Sequence, residues 1–103
     1  MKRIIATAVL ASAFVAAPAM ADLDLAKKSG CLACHSVDAK VVGPAWKDVA
    51  AQVSDRDRII ASIKKGSKGS WTAVTGGVPM PPYSPRVSDE NVEKLADFII
   101  SLK

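Results

Sequence analysis

Cys31-Leu32-Ala33-Cys34-His35 is the stretch on which the reading of this chain turns. Two thiols three positions apart, with a histidine directly after the second, fall at i, i+3 and i+4. One helical turn therefore projects all three from a single face. Such a pair serves several chemistries: dithiol exchange of the thioredoxin type, zinc coordination, a short structural disulfide, or none at all when it arises by chance. With the histidine appended it is also the attachment signal for a c-type haem. There the thiols form thioethers to the vinyl groups and the imidazole becomes an axial iron ligand.

The remainder of the chain decides among these. A redox dithiol is expected near a βαβ unit, and no strand pattern leads into Cys31. Zinc needs further ligands, yet the sequence holds no other cysteine and no other histidine. A disulfide across two residues closes a tiny loop and stabilises little. Covalent haem is the reading left, with Cys31 and Cys34 as anchors and His35 as ligand.

Upstream, Lys2-Arg3, an apolar run from Ile4 to Ala17 and Pro18-Ala19-Met20-Ala21 with its A-x-A ending form a secretory signal peptide. At 1.5 Å per residue the apolar run reaches about 21 Å, short of the roughly 30 Å hydrocarbon core. The expected organisation is a cleaved leader over 1–21 and one domain over 22–103. Export to the periplasm agrees with the motif, since covalent haem attachment of this kind takes place outside the cytoplasm.

The full chain of 103 residues carries a formal charge of +4, which falls to +2 over 22–103 once Lys2 and Arg3 are removed. Two haem propionates would bring it close to neutrality. No basic run interleaved with aromatics points to nucleic acid. A domain of 82 residues buries little apolar surface alone and commonly needs a staple. A covalent, largely apolar haem supplies both core and staple.

Downstream, four stretches carry helical signals, separated by irregular segments. Asp22 to Ser29 reads as a helix with Asp22 at its N-cap, Lys27-Lys28 in its last turn and Gly30 beyond. Trp46, Val49, Ala50 and Val53 mark one apolar face of a second. Ser54 is expected to cap a third over 55–65, with Asp57 completing a capping box and Gly66 ending it. Gly66 to Val87, rich in Gly and Pro, reads as one long irregular segment. Ser88 caps a last helix whose stripe is Val92, Leu95, Ala96, Ile99 and Leu102, with Glu90 and Lys94 paired at i,i+4. That helix is expected to cross the N-terminal one.

Inside the irregular segment lies Val78-Pro79-Met80-Pro81-Pro82, where flanking prolines stiffen the backbone around Met80. Beyond the leader Met80 is the only methionine. It is the favoured sixth ligand, although a lysine, Tyr83 or the chain amino group remain formal candidates.

The Cys31 to His35 motif, Val42-Gly43-Pro44-Ala45, Gly66-Ser67, Trp71, Pro79-Met80-Pro81-Pro82 and Val87-Ser88-Asp89 together resemble the small monohaem class I bacterial cytochromes c of the c-551/c-552 type. The resemblance covers essentially all of 22–103. It implies an all-α fold, with four to five short helices wrapped around one haem and the terminal helices crossing, and His35/Met80 axial ligation. It also implies a hydrogen bond from the His35 ring to the Pro44 carbonyl in the Gly43-Pro44 turn, and Trp71 beside a haem propionate. Two features depart from the family pattern. Trp71 stands further from the methionine than usual, so Thr72 to Gly77 contains an insertion, and Tyr83 replaces the usual asparagine.

The function implied is a soluble periplasmic electron carrier with no catalytic residues. The alternative is a haem enzyme or a gas or peroxide sensor in which Met80 leaves the iron. Expected partners are redox proteins, namely a respiratory donor complex and a terminal reductase, oxidase or peroxidase, met by a monomer. Lys27, Lys28, Lys40, Lys47 and Lys68 are the candidate rim charges for those encounters.

Overall fold

A computed structural model describes residues 16–103, and among these all regular structure is helical. The elements are α1 (Ala16–Lys28), a 3-10 turn (Cys31–Ala33), α2 (Trp46–Gln52), α3 (Arg56–Lys65), α4 (Thr72–Thr75) and α5 (Asp89–Ser101). Two isolated antiparallel bridges, His35 with Lys40 and Ser67 with Met80, are the only β pairings among the described residues.

α5 is the element on which the others pack: α1, α2 and α3 all lie against it. Its periodicity explains why. Val92, Leu95, Ala96, Phe98 and Ile99 are all buried, a stripe wide enough to face several neighbours at once. Phe98 meets Trp46 of α2 edge-on, with ring centroids 6.0 Å apart. Ile59 and Ile63 of α3 and Ala26 of α1 join the same apolar cluster. On the solvent side Arg56 reaches Asp97 at 2.6 Å and Glu93 at 3.3 Å, and Lys64 reaches Asp89 at 3.2 Å. These pairs tie both ends of α3 to α5.

The helix ends follow from local chemistry. Ser88 caps α5 by accepting the Asn91 N–H at 3.1 Å. Gly30, with φ of 87°, turns the chain out of α1 and into the cysteine-bearing turn, in a left-handed conformation costly for any other residue.

Four expectations are corrected. α1 starts at Ala16, not Asp22. Alanines continue the helix backwards, and Pro18 falls in the first turn, where backbone N–H groups have no intrahelical acceptor. Only 16–21 of the expected leader fall in the described region; the rest lies outside it. The N-cap of α3 is Asp55 rather than Ser54, its carboxylate accepting the N–H groups of Asp57 and Arg58, and the shift by one position removes the capping box. The 66–87 segment contains a one-turn helix, α4. Glu90 and Lys94 form no ion pair; the first turn of α5 is instead paired through Asp89 to Lys64.

Candidate haem-binding cleft

The Cys31–His35 stretch winds into a tight turn because Cys31 O accepts from both Cys34 N at 3.2 Å and His35 N at 3.0 Å. No disulfide joins the two cysteines, and Cys31 is buried and Cys34 half-buried. Burial pushes the Cys31 thiol above its ordinary pKa, against a smaller opposing pull from the Arg86 charge. The chain then loops out and returns, and Val42 N and Gly43 N both donate to Cys34 O, at 3.2 and 2.7 Å.

That return places Pro44 O 2.9 Å from His35 Nδ1. A carbonyl oxygen can only accept, so Nδ1 carries the proton and Nε2 keeps its lone pair for a metal. Burial holds the imidazole below its usual pKa despite this bond, which favours the neutral, ligating form. Trp46 stacks on the ring, centroids 5.5 Å apart and planes 20° off parallel. Gly43 closes the other approach: a Cβ there would stand 2.6 Å from His35 Cε1. Imidazole orientation is thus fixed by one hydrogen bond, one aromatic face and one missing methyl group.

Met80 is held as firmly, through its backbone. Its N–H donates to Ser67 O at 2.8 Å and its carbonyl accepts from Ser67 N at 3.0 Å. Three residues on, Tyr83 N donates to Ile63 O at 3.0 Å, and Ser84 N to Lys64 O at 3.2 Å. The proline-framed segment is thereby tied to the end of α3. Gly66 permits the approach, because a Cβ there would lie 2.5 Å from Met80 O and its φ is +84°. The sequence marked Gly66 as a helix stop and, with Ser67, as part of a family motif; its contact with the distant Met80 segment carried no local signal.

Between these two segments lies a cleft open to solvent. Cys31, Cys34, His35, Gly43, Pro44, Trp71 and Met80 all line it, so every site residue singled out from the sequence reaches one cavity. Val49, Val53, Ile59, Leu95 and Ile99 add aliphatic wall. Trp71 is half-buried and stands at the N-terminus of α4, and Thr75, within the stretch expected to contain the insertion, also lines the cleft. Two thiols, an imidazole with one free nitrogen, a thioether and largely apolar walls suit a covalently attached iron porphyrin. Trp46 was legible in the sequence as core, not as the imidazole's stacking partner, because stacking depends on the loop return at Gly43.

Comparison with known proteins agrees with this chemistry. A family model described as cytochrome c oxidase, cbb3-type, subunit III matches residues 18–99. Cytochrome c-552 of Nitrosomonas europaea is 50% identical over 93 residues, covering 86% of this chain and 85% of the relative. Cytochrome c-551 of Allochromatium vinosum is 46% identical over 92 residues, covering 85% and 93%. The crystal structure of wild-type Nitrosomonas europaea cytochrome c552 superposes with a TM-score of 0.70 at 48% identity, covering 79% of this chain and 99% of that one.

Proposed function

We propose, for a chain that belongs to the monohaem class I cytochromes c of the c-551/c-552 type, that His35 and Met80 are the axial ligands through which it carries one electron at a time. The chain is an electron-carrier cytochrome with one covalent c-type haem anchored at Cys31 and Cys34. When bound, haem iron supplies reversible one-electron chemistry, its potential set by axial ligands, hydrogen bonding and burial.

The protein's part is to hold and to exclude. Cys31 and Cys34 fix the cofactor from one turn. His35 presents Nε2 because Pro44 O engages Nδ1 and Trp46 packs on the ring. Met80 offers its thioether from a backbone pinned to Ser67. The aliphatic wall keeps water away, and Trp71 is the indole donor assigned to a propionate. The observation that carries the reading is the His35–Pro44 bond, because it commits one nitrogen and leaves the other for iron. Besides the thiols and His35, the titratable side chains on the cleft wall among the described residues are Arg58 and Tyr83, a poor set for peroxide chemistry.

Redox partners follow from the carrier role; their class is a respiratory donor and a terminal reductase, oxidase or peroxidase, met in the periplasm by a monomer. Val42 and Val78 are exposed at the cleft and Val41 beside them, an apolar rim suited to brief contacts. Of the expected rim lysines, Lys28 pairs with Asp24 at 3.0 Å and Lys47 with Asp38 at 2.6 Å. Lys27, Lys40 and Lys68 are exposed and outside the ion pairs of the described region, and they are the steering charges. No described helix is long and apolar enough to cross a membrane, and residues 1–21 are proposed to be removed on export, which N-terminal sequencing of the secreted protein checks.

Intact mass showing one added haem, together with a ferric spectrum bearing the long-wavelength methionine-to-iron band, is the expected result. A high-spin ferric spectrum, or an M80A variant retaining the native potential, overturns the axial assignment.

A further inference from the structure

His35 is oriented in part by the Trp46 indole stacked on its ring, so whatever fixes the indole also fixes the imidazole. The Trp46 main chain is held where the 36–44 loop returns, its N–H donating to Ser36 O at 2.9 Å. That bond leaves the side-chain torsions free, and the outer torsion of a tryptophan is broad and roughly two-fold. A hydrogen bond from the indole would narrow it. Among the described residues, however, the indole N–H donates to no acceptor. Packing alone therefore sets the plane of this ring, at a residue only 3% exposed.

The other aromatic ring against Trp46 is Phe98 of α5, with the two planes 84° apart. Phe98 is itself buried, and its backbone is fixed inside the helix, where Ser101 Oγ donates to its carbonyl at 2.6 Å. Its helix neighbours Leu95 and Ile99 line the cleft, whereas Phe98 does not. Phe98 has no face on the cleft and acts on it only through Trp46. A leucine would fill much of the same volume, yet it would present no ring. The edge-to-face preference of an aromatic pair is what selects one indole plane over others of similar packing.

We propose that Phe98 is a positioning residue for His35: its ring holds the Trp46 indole parallel to the imidazole, and so keeps Nδ1–H on Pro44 O and leaves Nε2 for the cleft. This rests on the reading of His35 as the ligating imidazole, and it extends control of that ligand beyond the cleft wall. The helix against which α1, α2 and α3 pack then also orients the one histidine of the chain. A shift of α5 against α2 is felt at the imidazole even though the residue that transmits it touches neither the ring nor the cavity.

The experiment uses the haem-loaded protein in its reduced form and follows the His35 Nδ1 proton by NMR, both its chemical shift and its exchange with solvent. F98L and F98M remove the ring but keep an apolar side chain; F98Y keeps the ring; V92A changes a fully buried α5 site off the cleft wall. F98L and F98M are expected to speed exchange by roughly three- to tenfold, the scale on which an aromatic pair exceeds its area, and to move the proton's shift. F98Y should match wild type. V92A should lower the unfolding free energy in urea and leave the proton unmoved. In a W46L background F98L should add nothing, because the contact that transmits its effect is gone. F98L and F98M indistinguishable from wild type, F98Y behaving like F98L, an equal effect in V92A, or an F98L effect undiminished in W46L overturns the role of Phe98. A wild-type protein that lacks the mass of one haem, or shows no hydrogen-bonded His35 Nδ1 proton, overturns instead the ligand reading from which it starts.

Discussion

At Gly43 the fate of the site depends on a single absent methyl group. A Cβ would come within 2.6 Å of the His35 ring, so G43A must push the imidazole away from Pro44 O or displace the loop. We expect about 1–3 kcal/mol of destabilisation, the usual cost of overpacking, with weakening of the ferric methionine-to-iron band; denaturant titration and visible spectroscopy check it. P44A should be milder, because the acceptor is a backbone carbonyl that survives the substitution. Only loop rigidity is lost, about 0.4–1 kcal/mol. The chemistry-bearing side chains were legible because they are so few: one histidine, two cysteines and one methionine beyond the expected leader leave little to choose among. Gly43 was legible only as half of a turn dipeptide and a family motif. Its contact with His35 arises when residues 36–42 loop back onto Cys34 O, and no local pattern encodes that return.

Among the elements, α1 begins six residues before the expected Asp22 cap, whereas the other caps and apolar stripes were readable to within a residue, and the error at α3 arose where two good capping residues adjoin. Ser54 and Asp55 both suit an N-cap; the structure uses Asp55, extended at φ −85° and ψ 107°, while Val53 two positions earlier is buried. Removing the true cap should cost about 1 kcal/mol. D55A and S88A should therefore lower the unfolding free energy by similar amounts, with S54A close to zero, as measured by urea denaturation. α4 was unreadable because its four residues cannot display a period. Trp71 O takes the N–H groups of both Val74 and Thr75, and Gly76 ends the turn in a left-handed conformation. The stretch is thus one helical turn fitted between an aromatic and two glycines, too short for any sequence template.

For the whole molecule, the contact of α1 with α5 and the central place of α5 followed from the 3.6-residue period, and L95A, at a site 1% exposed, should cost about 2–5 kcal/mol by thermal or chemical denaturation. Acid should loosen the α3–α5 pairing. Hydrogen bonds from Arg56 hold the Asp97 carboxyl below its usual range, so its contribution is complete above the ordinary carboxylate pKa and fades as pH falls through the lowered value. Both partners are exposed, so the effect is small. D97N should lie below wild type in urea midpoint at neutral pH, and the gap should close as pH falls through the lowered value of Asp97. One further consequence belongs to the reciprocal bonds between Ser67 and Met80. They close the twelve residues of 68–79 into a loop whose ends are fixed by the protein rather than by its own contents. Chain entropy penalises a longer closed loop only logarithmically, so two extra residues there cost roughly 0.1–0.2 kcal/mol. Met80 is thereby insulated from changes in loop length, and evolution is free to lengthen or shorten this stretch without moving the sulfur that the iron requires.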